Sequence, residues 1–224
     1  MHVNVLYRPA HALAQITLEP NESIQAESGA MVGMSTNVAI QTQAGGMMSG
    51  LKRMFGGESF FRNTFTAQGG PGELLLAPPL NGDIAALEMT SHGYFVQSSC
   101  YVASSPHVQI DTKVGGFRGF FSGAGMFVLK ATAQQPGHLI VASFGGLDCI
   151  QCDGSMVIDT GHLVAWDATL EYRVTKASSG WIASLLSGEG LVCEFKGQGR
   201  IWIQTRNQSE YGRAIGPNLP PREQ

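Results

Sequence analysis

LKRMFGGESFF (51–61), FRGFFSGAGMF (117–127) and IASLLSGEGLV (182–192) align with one another. The second follows the first by 117 − 51 = 66 positions and the third follows the second by 182 − 117 = 65. Apolar residues stand at i, i+3 and i+4 in each: Leu51, Met54 and Phe55; Phe117, Phe120 and Phe121; Ile182, Leu185 and Leu186. That is helical spacing, and a glycine two positions on suits the close of one or two helical turns. Strand-like apolar runs follow directly, at 60–65, 126–129 and 191–195. The spacing therefore predicts a short helical turn leading into a strand, three times over.

The flanks repeat as well. QGGPGELLLA (68–77), QQPGHLIVA (134–142) and KGQGRIWIQ (196–204) each set a glycine turn before alternating apolar residues, the pattern of a hairpin. Upstream, Ala30 to Val32 with Val38 and Ile40, Tyr101 and Val102 with Val108 and Ile110, and His162 to Val164 with Leu170 and Tyr172 open each copy with two strands. The expected fold is all-β: three tandem degenerate repeats of antiparallel strands in a pseudo-threefold barrel or prism, closed so that strand edges are covered. One domain spans 1–207, with repeats at approximately 22–90, 91–153 and 154–207. A C-terminal tail, 208–224, is a loosely attached extension in which Tyr211 and Ile215 are candidates for docking.

Composition agrees with a folded chain: 43% of 224 residues are hydrophobic and only 14% are charged. The formal net charge is −3, and the fourteen basic residues are dispersed among seventeen acidic ones without a basic stripe. Nucleic acid is therefore not an expected partner, because phosphate neutralisation needs clustered Lys and Arg. The first twenty residues show neither a basic stretch before an apolar run nor transit-peptide character, so the expected location is the cytoplasm. The apolar stretch at 72–89 is broken by Pro78, Pro79 and Asp83, so no transmembrane segment is expected. Cys100, Cys149, Cys152 and Cys193 are too few for a disulfide framework and read as free thiols.

AESGAMVGMSTNV (26–38), GGESFF (56–61), LAPPLNGDIAALEM (76–89) and SGEGLVCEFKGQGRIWIQTRN (187–207) together resemble the altered-inheritance-of-mitochondria protein 24 family, over about residues 10 to 207. The resemblance implies a fold similar to the tryptophan RNA-binding attenuator protein, with repeated antiparallel sheets arranged like a double-stranded β-helix. It supplies no catalytic residues; a mitochondrial member is linked to organelle organisation rather than to a reaction. RNA binding does not follow from fold analogy, and Trp166, Trp181 and Trp202 stand in apolar contexts that suit core packing better than base stacking.

Chemistry-bearing constellations are scarce. His92, His107, His138 and His162 are solitary, without the His-x-His pair a cupin-like metal site needs. Cys149 and Cys152 have a zinc-knuckle gap but no second pair, and residues three apart on a strand face opposite ways. Glu58 and Glu189 occupy equivalent places after the helical turn, where the second copy has Ala124. No catalytic residue, cofactor or metal is expected. The leading reading is a non-catalytic interaction or scaffold module that self-assembles as a homo-oligomer, trimers included. The alternative is a small-ligand or membrane-surface binder, in peripheral contact with an anionic interface through its Met/Phe-rich turns. Its residues are Met47, Leu51, Lys52, Arg53, Met54, Phe55, Phe117, Arg118, Phe120 and Phe121. An enzyme with an unrecognised site ranks third.

Overall fold

The computed structural model describes residues 1–42, 62–111, 127–176 and 191–220. The chain opens with β1 (His2–Leu6), β2 (Leu13–Leu18), β3 (Ser23–Glu27), β4 (Met31–Met34), β5 (Val38–Thr42), β6 (Arg62–Ala67) and β7 (Gly72–Leu76). Then come β8 (Ile84–Glu88), β9 (Tyr94–Gln97), β10 (Tyr101–Ser104), β11 (Gln109–Asp111), β12 (Val128–Thr132) and β13 (His138–Ala142). The chain ends with β14 (Leu147–Asp159), β15 (Leu163–Asp167), β16 (Glu171–Lys176), β17 (Leu191–Gln204) and a helix, α1 (Gln208–Ile215). The fold is predominantly β, and all ladders between named strands are antiparallel.

Three sheets result. Their orders are β1-β2-β7-β4, then β5-β6-β3-β10-β13-β8, then β11-β12-β9-β15-β17-β14 with β16 also on β17. Three apolar cores lie between and within them. The first holds Ile16, Leu18, Ile24, Phe65, Leu74, Leu76 and Ile140. The second holds Tyr94, Val96, Leu129, Leu139, Val141 and Trp202. The third holds Phe95, Leu163, Trp166, Cys193, Phe195 and Ile201. Because strand side chains alternate faces, single strands serve two cores: Ile140 and Ala142 of β13 enter the first while Leu139 and Val141 enter the second. Phe95 and Val96 of β9 divide likewise between third and second. Such strands are buried on both sides, which is why YFVQ and HLIVA read as runs of apolar residues rather than as alternations.

The same local geometry occurs at three places. A register shift separates Met31↔Leu76 from Gly33↔Leu75, Tyr101↔Val141 from Ala103↔Ile140, and Leu163↔Ile203 from Ala165↔Trp202. One turn then closes each strand, with Val38 N donating to Ser35 O at 3.0 Å, Val108 N to Ser105 O at 3.0 Å and Leu170 N to Asp167 O at 3.1 Å.

Several expectations are corrected. The sheets are not closed: each runs from one end strand to another among the described residues. None of the three glycine segments closes a hairpin: QGGPG links β6 to β7 and QQPG links β12 to β13, in each case strands of different sheets, while KGQGRIWIQ (196–204) is the second half of a continuous 14-residue strand, β17, paired along the 13 residues of β14. Gly154 and Gly197 stand opposite each other in that ladder with φ of 109° and 110°, so both strands bend at one level where a side chain would be strained. The tail from 208 forms α1: Asn207 Oδ1 accepts from Ser209 N and Glu210 N at 3.0 and 3.4 Å, capping the first turn. Tyr211 docks as expected, edge-on to Phe144 with ring centres 5.0 Å apart. The expected helical turns at 51–55, 117–121 and 182–186 lie outside the described residues.

Candidate functional site

Met47, Leu51, Lys52, Arg53, Met54, Phe55, Phe117, Arg118, Phe120 and Phe121, the residues singled out from sequence, all lie outside the described residues, as do Glu58, Glu189 and Trp181.

Trp166 and Trp202 are core residues, 1% and 6% exposed. Cys152 is buried and Cys149 exposed, on opposite faces of β14, so the pair does not converge on one ion. Burial pushes the Cys100 and Cys193 thiols up to about 12 and raises that of Cys149, the reverse of an activated nucleophile. Among the described residues no group of three or more His, Cys, Asp or Glu side chains is placed to hold a metal. His162 Nδ1 lies 2.7 Å from Gln204 O, and His107 packs against Gly137. A cleft beside His107 is lined by Ser91, Gln109, Thr132 and Gln134, with one imidazole and no carboxylate.

Charge is used structurally. Arg200 on β17 donates to both oxygens of Asp167 at 3.1 and 3.2 Å and to the Tyr94 hydroxyl at 3.2 Å, while its guanidinium stands 4.9 Å from the Trp202 ring centre. This fork joins β9, β15 and β17. Arg8 grips buried Asp83 through two bonds of 2.8 Å, and Ile84 N donates to the same carboxylate. In NGD (81–83), part of the motif that carried the family resemblance, Gly145 N donates to Asn81 O and Ala12 N to Gly82 O, so the motif ties loops together.

Glu27, at the end of β3, is the one carboxyl among the described residues pushed up to about 7, by burial. Its folded value lies above the ordinary 4.5, so the native state binds this proton more tightly than the unfolded chain. That contribution is complete below about pH 4.5 and is lost as pH rises through about 7. Glu27→Gln is expected to stabilise the protein by about 1–2 kcal/mol at pH 8, after allowance for solvent screening, and to change little at pH 4. Urea melts at the two pH values check it; equal shifts at both would exclude the carboxyl as the cause.

The surface that stands out is apolar. Met31, Val32 and Met34 of β4 are 40%, 59% and 38% exposed, Ile40 of β5 is 39% exposed, and Val157 of β14 is 62% exposed. Among the described residues β4 is an end strand of its sheet and β14 of another, so each has one edge of backbone without a strand partner beside these side chains. Nothing in the sequence flagged them: AMV at 30–32 has the same pattern as its counterparts at 101–102 and 162–164, and only the neighbour decides exposure.

Comparisons with known proteins agree over nearly the whole chain. The family model described as "AIM24: Mitochondrial biogenesis AIM24" matches residues 3–206. A protein of Streptococcus pyogenes serotype M6, described as uncharacterised, is 33% identical over 219 residues, covering 93% of this chain and 87% of that one. A crystal structure of a Streptococcus pyogenes protein superposes with a TM-score of 0.81 at 30% identity, covering 97% of this chain and 99% of that one. Among the described residues no helix is long and apolar enough to cross a membrane.

Proposed function

Because the chain belongs to the mitochondrial biogenesis AIM24 family, we propose that it is a non-catalytic, self-assembling interaction module. The observation that carries this reading is the apolar edge strand β4, paired on one side only among the described residues: long-lived monomers blunt such edges with charge, proline or cover, whereas Met31, Val32 and Met34 leave this one open.

The module is read as three copies of one unit within 1–207, at approximately 22–90, 91–153 and 154–207, with α1 in the tail. The bulged strand pair and its turn, present at 31–38, 101–108 and 163–170, support the triplication, as does the presence of three cores. Four free cysteines support a reducing compartment such as the cytoplasm.

Light scattering after size exclusion tests the reading. More than one copy per particle is expected at micromolar concentration; a monodisperse monomer would overturn it.

A further inference from the structure

Two internal junctions hold neighbouring units together, and both are built from equivalent pairs of strands. At the first, β10 pairs with β3, Ala103 opposite Ala26 and Ser104 opposite Gln25. At the second, β15 pairs with β9, Ala165 opposite Val96 and Trp166 opposite Phe95. β10 and β15 each follow the bulge and precede the turn described above, the position that β4 holds in the first unit. β3 and β9 are each the partner of the strand that begins after the undescribed stretch, β6 and β12 respectively. In the third unit that partner is the distal half of β14, which pairs with Leu191 onward of β17.

The junctions therefore give two complete six-stranded sheets, β5-β6-β3-β10-β13-β8 and β11-β12-β9-β15-β17-β14, and leave two halves over. One half is β16, β17 and distal β14; the other is β4, β7 and β2. Joined through β14 and β4 they make a third sheet of the same order. Burial shows what the missing junction changes: β10 and the first four residues of β15 are buried, whereas Met31, Val32 and Met34 are exposed. Among the described residues neither the outer edge of β4 nor that of β14 has a partner.

We propose that β4 of one copy adds antiparallel to the distal half of β14 of a second copy, completing the third sheet between chains. This deepens the self-assembly reading and rests on it. The register follows from the internal junctions. Equivalent turns align Val38 with Val108 and Leu170, hence Gly33 with Ala103 and Ala165, and Met34 with Ser104 and Trp166. Pairing with β6, β12 and β17 aligns Ile24 with Tyr94 and Met156, opposite Phe65, Ala131 and Phe195. Gly33 then faces Ile158 and Met34 faces Val157, so two of the exposed apolar residues cover each other. The contact is head-to-tail, because each copy offers one edge of each kind; it closes as a reciprocal pair or as a larger ring.

The test is disulfide trapping in the full chain, with the one exposed thiol removed as Cys149→Ser. Directly opposed residues of an antiparallel pair have Cα atoms roughly 4.5–5.5 Å apart, within disulfide reach. Met34→Cys combined with Val157→Cys is expected to give covalent dimers and higher multiples on mild oxidation. Met34→Cys with Ser155→Cys, two positions out of register, is expected to give at least about fivefold less, the diagonal distance being roughly 7–8 Å. Met34→Lys alone is expected to lower the assembled fraction about tenfold, and Val157→Glu in the same chain to restore it. A link confined within single chains would overturn the proposal, as would equal trapping at 155 and 157. Assembled protein with no trapping and no response to Met34→Lys would overturn this pairing yet leave self-assembly standing, whereas monomer throughout removes both.

Discussion

Replacing Trp166 by alanine is expected to cost about 3–5 kcal/mol of unfolding free energy, the range for removing a large aromatic from a packed core. Trp166 is 1% exposed and meets Phe95, Tyr172 and Phe195 at ring-centre distances of 5.6, 5.1 and 5.6 Å. Three strands supply those rings, β9, β16 and β17, so a cavity here loosens the third core on every side at once. The indole Nε1 is buried without a hydrogen-bond partner, which already subtracts from stability. Trp166→Phe keeps most of the apolar volume and deletes that orphan donor, so its loss is expected to stay below about 2 kcal/mol. Urea unfolding of the two variants separates the effects. Equal losses would mean that ring packing is not what Trp166 contributes.

Gly82→Ala is the second large effect. A Cβ at this position would overlap the Ser143 carbonyl oxygen and stand 3.0 Å from that of Gly145, both backbone atoms that cannot rotate aside. The chain must move, and the bonds anchored there move with it. Ala12 N donates to Gly82 O, Asp83 N to Gly145 O, Ser143 N to Asp83 O and Gly145 N to Asn81 O, all between 2.9 and 3.2 Å. Overpacking alone costs about 1–3 kcal/mol, and each buried group left unbonded adds roughly 1–3 more. A loss of at least about 3 kcal/mol is expected, read as a lower melting temperature; a melt unchanged within 2 °C would show that the two loops do not pack as described.

Much of the fold was legible because strand and turn patterns are local. Met31 and Val32, Tyr101 and Val102, and Leu163 and Val164 lie in strands as their patterns predict, whereas Ala30 precedes its strand and His162 closes a 3-10 turn; QGGPG at 68–72 turns the chain between β6 and β7, since alternation and glycine act over a few residues. KGQGR at 196–200 failed the same rule. A glycine with φ of 110° serves a turn and a bent strand alike, and the choice lay with the partner glycine of β14, forty-three positions away (197 − 154 = 43). The Met/Phe-rich turns whose apolar and basic character suits contact with a membrane or ligand fall outside the described residues. The surface the structure offers instead, Met31, Val32, Met34 and Val157, looks in sequence like the buried strands Tyr101–Ser104 and Leu163–Asp167.

By itself the sequence determined the all-β class, the family and the spacing of the strands, because each of these is written in short-range alternation or in matched motifs. Only the tertiary structure decided which of the equivalent strands are covered. Pairing joins β3 to β10 and β9 to β15 across more than sixty residues, and among the described residues leaves one edge of β4 and one edge of the far half of β14 without a partner. A strand's pattern specifies which face it offers; whether another strand comes to meet its edge is a property of the assembled chain.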